Sequence, residues 1–306
     1  MQQANSVFLI TLAIITFGYL LKKFDYLTEK DGKIISKFLM HTTFPALMLV
    51  STIRIKLESS LFLIPLFALI FGSSMVLVAW FVFKKQPNVL RGLLIMGSGG
   101  LNTGLFGFPI IEGLWGRDAL VYAIMFDIGN TAVVFGIAYT IGIYFANKEG
   151  EGRVSFRAIF KRVIRLPPLQ AMLIGLTVNA LDFQLPIFAT DFLDVLAKGN
   201  KPIVLLLMGI YLDFALNRQQ VWAVSKVLII RYTMGLIAVS LFYFSMQPSV
   251  YQSIMIVCVV LPVGLTLLPF SDELNYDSRM AGLLVNLSLL ISFCLMWGLV
   301  VGLKLV

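Results

Sequence analysis

LNTGLFGFPIIEGL, residues 101–114, and LPVGLTLLPFSDEL, residues 261–274, decide how this chain folds. Both stretches lie in long apolar runs and both are rich in glycine and proline. At an offset of 160 residues, five of fourteen positions coincide: Leu101/Leu261, Gly104/Gly264, Leu105/Leu265, Pro109/Pro269 and Leu114/Leu274. Pro262 removes a backbone donor and clashes with the preceding turn. Gly97, Gly99, Gly100, Gly104 and Gly107 weaken the earlier run, each by about 1 kcal/mol against alanine. Taken alone, Gly100-x-x-x-Gly104 fits either a break or a helix-contact motif. Paired placement in two similar segments favours a break in each.

Outward from these segments the chain keeps repeating itself. PALMLVSTI (45–53) is echoed by PIVLLLMGI (202–210) at an offset of 157. Two echoes in the same order at nearly the same offset mark an internal repeat.

The bulk numbers place the repeat in a membrane. The 306 residues are 59% hydrophobic and 13% charged, about half the charge of a soluble domain. A helix needs ~20 mostly apolar residues to cross the hydrocarbon core. Such runs recur at 5–21, 33–53, 60–83, 90–114, 118–146, 167–183, 189–213, 221–245, 250–270 and 280–303, giving ten predicted spans. The N-terminal MQQANS has no basic region, so the first run reads as a retained helix.

Ten spans put both termini on one side. With the termini outside, inner segments hold 17 of the 24 lysines and arginines, outer segments 6, and Arg231 is mid-span. The positive-inside rule therefore orients both termini outward, in a multi-pass cell (inner) membrane protein. The polar stretch 147–165 is an inner linker between a first five-span repeat, 1–146, and a second, 166–306. An odd number of spans per half inserts the halves oppositely, an inverted repeat of the kind found in secondary transporters. Backbone freed at mid-span breaks must line a cavity or be satisfied by neighbours, because unsatisfied groups cost several kcal/mol in hydrocarbon. Half-helix N-termini meeting there suit a carboxylate.

On Asn102-Thr103-Gly104-Leu105-Phe106-Gly107-Phe108-Pro109 and Pro262-Val263-Gly264, followed by Pro269-Phe270, the chain resembles the auxin efflux carrier family. Pro45 and the Pro202–Gly209 stretch fit as well, and the likeness spans essentially the whole chain. The resemblance implies an all-α polytopic fold of ten helices as two inverted five-helix repeats. Spans four and nine cross as broken helices, and a transport part moves against a scaffold part like an elevator. One departure concerns Leu101, where plant members place a proline before the Asn-Thr pair. The first half then unwinds less, or uses glycine for its break.

The expected substrate site is Asn102, Thr103, Gly104 and Phe106 facing Pro262, Val263 and Gly264, with Asp127 and Asn130 nearby. Asp127 and Asn130, three apart, share a helical face. They either line the cavity, with Asp127 carrying a proton, or form an interhelical hydrogen bond to a serine or threonine. Arg231 is either a counter-ion, to the substrate or to Asp127, or a structural or snorkelling residue. His41 is a core histidine or a proton relay, and Asn286 a cavity candidate. Asp213 and Glu112 lie near span ends, where a solvated location is expected.

The expected function is secondary or facilitative transport of a small organic anion. The rival classes are an intramembrane enzyme and a channel. Paired aspartate-rich motifs for magnesium are missing, and Ser98 with His41 fits a serine protease only if the repeat goes unexplained. Cys258 and Cys294 form no metal spacing, and no nucleotide loop is present. No cofactor or metal is expected. Basic residues in short segments between apolar runs argue against nucleic acid. Expected partners are the bilayer and the anion, with a homodimer left open.

Overall fold

The computed structural model describes residues 2–53, 59–146, 164–212 and 218–306. Its regular structure is helical; among the described residues the β contact is an isolated antiparallel bridge, Leu101 to Val263. Most of the 147–165 linker, and Asp213, lie outside these residues.

Helix α1 spans Gln2–Lys23. Helix α2, Glu29–His41, opens on a capping box in which the Thr28 hydroxyl accepts from the Asp31 amide and the Asp31 carboxylate accepts from the Thr28 amide. Helix α3, Thr43–Ile53, continues α2 after a break at Thr42. There follow α4 (Leu63–Val82), α5 (Asn88–Gly99), a π-turn at Thr103–Gly107 and α6 (Phe108–Trp115). Helices α7 (Leu120–Thr131) and α8 (Tyr139–Ala146) are joined through a π stretch, Ala132–Ala138. The second part has α9 (Pro167–Ala180), α10 (Ile187–Tyr211), α11 (Arg218–Ser245), α12 (Val250–Cys258), α13 (Leu267–Glu273) and α14 (Ser278–Gly302).

Six stretches among the described residues are long and apolar enough to cross a membrane: 4–23, 29–53, 63–82, 120–146, 221–245 and 278–302. The other four expected spans depart from that pattern, each for its own reason. The runs at 90–114 and 250–270 are broken in the middle. The run at 167–183 yields a helix of 14 residues, about 21 Å long at 1.5 Å per residue. Helix α10 is 25 residues long but carries Asp191, Asp194, Lys198 and Lys201. Large apolar side chains point outward along the long helices, including Phe17, Ile70, Phe81, Ile229 and Phe244. That surface suits hydrocarbon and not water, so the chain is a multi-pass membrane protein.

The helices pack in two groups. Helices α1, α2, α3, α9 and α10 form one, with α1 laid along α10 and α3 along α9. Small residues set the first contact: a side chain at Gly18 would run into the Leu206 backbone, and one at Gly209 into that of Ile15. Helices α4 to α8 and α11 to α14 form the other group. The two breaks lie in this second group, and one face of them meets the first.

Candidate functional site

The breaks at 100–102 and 259–266 meet as two short antiparallel extended pieces, with the Asn102 amide donating to the Pro262 carbonyl at 2.9 Å. Two helices therefore end at the crossing (α5 and α12), and two begin (the π-turn leading into α6, and α13).

The backbone groups of the two extended pieces are largely partnered, as a site away from water requires. Asn130 of α7 acts like a neighbouring strand. Its Oδ1 accepts from the Leu101 amide at 3.0 Å, and its Nδ2 donates to the Leu101 carbonyl at 2.8 Å. The same Nδ2 lies 3.3 Å from Thr103 Oγ1 and 3.1 Å from Asp127 Oδ1. On the other piece, Ser288 of α14 accepts from the Val263 amide at 2.9 Å, and Ser292 donates to the Val260 carbonyl at 2.7 Å. Tyr232 of α11 fixes both serines, donating to Ser288 O at 2.7 Å and pairing with Ser292 Oγ at 2.9 Å.

Arg231, on α11, ties the end of α5 to the extended stretch that follows α12. Its Nη1 donates to Gly97, Ser98 and Gly100 carbonyls at 3.3, 2.8 and 2.8 Å, and its Nη2 to the Leu261 carbonyl at 3.1 Å. Its Nε has no partner. A charge at a helix centre costs roughly 2.5–3.5 kcal/mol on insertion scales. Hydrogen bonds to charged groups return ~1.5–3 kcal/mol each, so those to Ser98, Gly100 and Leu261 outweigh that cost, with Gly97 sharing an Nη1 hydrogen. Arg231 is thus held by carbonyls and makes no ion pair with a carboxylate among the described residues.

A cavity of about 140 Å³ lies between the crossing and the first helix group. Met40, Phe44, Met48, Leu169 and Met172 form one wall. Asn102, Thr103, Gly104, Asp127, Asn130, Val134 and Phe135 form the other, and Gly264, Leu265 and Thr266 of the second break also line it. Asn102 is 5% exposed, and its Nδ2 has no hydrogen-bond partner. The first turn closes only with Gly107 N–H to Asn102 O at 3.1 Å, so the amides of Thr103, Gly104, Leu105 and Phe106 have no helical acceptor. The wall thus offers unpaired N–H donors in an apolar surround, with one ionisable side chain, Asp127.

The structure brings Asn102, Thr103, Gly104, Asp127, Asn130 and Gly264 to this cavity. It places Pro262 and Val263 in the crossing but off the cavity wall, and Phe106 fully buried behind it. His41 is exposed and bonded through Nδ1 to the Lys37 carbonyl at 2.8 Å, away from the cavity. Asn286 is buried in α14, also off the wall. Glu112 lies 3.5 Å from Arg117, which is paired with Asp194 of α10.

Two features escaped the sequence reading. Thr43 donates to Asn200 Oδ1 at 3.1 Å inside the first helix group, and Asn200 Nδ2 has no partner. The signal was present, since Thr43 and Asn200 each stand two residues before the prolines of the 157-residue echo. Ser288 stands 158 residues after Asn130 and plays the equivalent part at the second break.

Residues 6–299 match the sequence family described as "Membrane transport protein". A protein of Methanothermobacter thermautotrophicus described as "Uncharacterized transporter" is 27% identical over 218 residues, covering 70% of this chain and 69% of its own. A second so described, from Methanocaldococcus jannaschii, is 28% identical over 220 residues, 68% of each chain.

Proposed function

The chain belongs to the auxin efflux carrier family of membrane transport proteins, and from that premise we propose that it carries a small organic anion by elevator-type alternating access. One observation carries the choice of an anion: the Asn102 side-chain Nδ2, buried, unpartnered and on the cavity wall, beside the free amides at the start of the π-turn. Donors without acceptors in an apolar pocket call for a ligand with oxygen acceptors, and a carboxylate fits best.

Two contacts support two oppositely inserted halves of five spans. An antiparallel pair about a two-fold axis joins one residue to its own equivalent. Asn102 bonds to Pro262, its equivalent at offset 160. Thr43 bonds to Asn200, its equivalent at offset 157. The most extensive packing is reciprocal in the same sense, span one on seven and span six on two. The two helix groups correspond to scaffold and transport parts, and the cavity lies between them, where sliding would carry a ligand across. In this reading both termini face outside, as the lysine and arginine bias indicates.

Asp127 stands among the donors as the proton carrier. A negative charge there opposes a carboxylate, so ligand and Asp127 share a proton. Reconstituted protein should show saturable, counterflow-capable uptake of a carboxylate, faster with an inward acid gradient. Asp127→Asn should lose the gradient dependence. Ohmic, non-saturating flux would make the protein a channel and end the carrier reading.

A further inference from the structure

Helix α5 finishes at the crossing with about half a negative charge on its terminal carbonyls. The stretch that follows α12 adds one more carbonyl, that of Leu261, three residues beyond the helix end. Convergent carbonyl oxygens at half-helix ends are the surroundings in which carriers with broken helices hold a monovalent cation. Here the oxygens of Gly97, Ser98, Gly100 and Leu261 converge on a cation that is part of the chain, the Arg231 guanidinium. Three of the four oxygens come from the end of α5 and the fourth from the stretch after α12. It is buried, does not line the cavity, and has no carboxylate partner among the described residues.

We propose that Arg231 is a built-in cation: its guanidinium fills the place where the four convergent carbonyl oxygens would otherwise collect sodium or potassium, so the crossing is assembled without either ion. Arg231 is a positioning residue, acting on the cavity through the backbone it holds. Neutralising the end of α5 leaves the N-terminal donors at Thr103–Phe106 without an opposing field. That consequence for transport rests on the anion reading, but the cation place itself rests only on the four hydrogen bonds.

The test is thermal unfolding of the purified full chain in detergent, with no carboxylate added. Sodium, potassium, choline and methylguanidinium chlorides are compared at equal ionic strength. Wild type should unfold at one midpoint in sodium, potassium and choline. Arg231→Ala should unfold lower in choline and recover by several degrees in methylguanidinium or sodium. Arg231→Lys keeps a tethered charge and should stay indifferent to which cation is present. A merely structural arginine would give a destabilised Ala variant with no cation-specific recovery, and that result overturns the proposal. So does selective stabilisation of wild type by sodium or potassium, or an Ala variant that fails to fold in all four salts. Arg231→Gln, which removes the charge but keeps two donors, is judged by the criteria set for Ala. A separate carboxylate titration of wild type reports on the anion reading, and its failure leaves this salt series unaffected.

Discussion

The two breaks have the same outline but opposite chemistry. The break between α5 and α6 is made by glycine and keeps every amide, whereas the break between α12 and α13 is made by Pro262 and lacks one. In a symmetric antiparallel pair, two residues exchange two hydrogen bonds. Asn102 donates to Pro262 at 2.9 Å, but Pro262 has no N–H to return. The Asn102 carbonyl is therefore free to accept from Gly107 and start the π-turn. The proline side is an acceptor and brace, tied down by Ser288, Ser292 and Tyr232. The glycine side presents the unpaired donors to the cavity. Under the proposed repeat the two halves would do different work: one would hold and the other bind.

That division can be broken from the binding side first. Asn130→Leu should be the most damaging change, because it orphans both the amide and the carbonyl of Leu101. At ~1–3 kcal/mol per group, the loss is roughly 2–6 kcal/mol, measured as reduced yield and a lowered unfolding midpoint. Leu101→Pro removes only the amide and should cost about half as much in the same assay.

Asn102→Ala should leave folding intact and weaken carboxylate binding by about tenfold or more, the equivalent of one hydrogen bond to a charged group. An equilibrium titration reads it. Gly104→Ala should slow uptake a few-fold with little change in stability. The added methyl would stand 2.5 Å from the tip of the Phe44 ring, on the opposite wall, which has to yield. The smallest effect on binding should come from the bracing side. Ser288→Ala orphans one buried amide, that of Val263, at ~1–3 kcal/mol of stability. Binding at the glycine side should be unchanged. A Ser288→Ala variant weaker in binding than Asn102→Ala would reverse the assignment of holder and binder.

Much of this was legible from Pro262 and from the glycines at 97–107, because backbone chemistry alone dictates where a helix can continue. Leu101 left two outcomes open, less unwinding or a break made by glycine, and α5 ends at Gly99 with Gly100 extended. The membrane character followed from composition. The site was legible only in part. Asn102, Thr103, Asp127 and Asn130 stand out as polar residues in apolar runs, and the fold gathers them. His41 stands out equally, yet it lies exposed on α2, because a polar side chain does not reveal which way its helix faces. Arg231 could be seen but not read: its partners are four backbone carbonyls, which leave no side-chain pattern in a sequence. The apolar wall of Met40, Phe44, Met48 and Met172 was invisible for the converse reason, being indistinguishable from ordinary core residues.

The central claim is that the donors at the glycine break hold a carboxylate. Titrating purified wild type and Asn102→Ala against a panel of mono- and dicarboxylates, with calorimetric readout, tests it most directly. Saturable binding of at least one carboxylate to wild type, weakened about tenfold or more in the variant, is the expected result. Equal affinity in both proteins, or no carboxylate binding to wild type, would contradict the account.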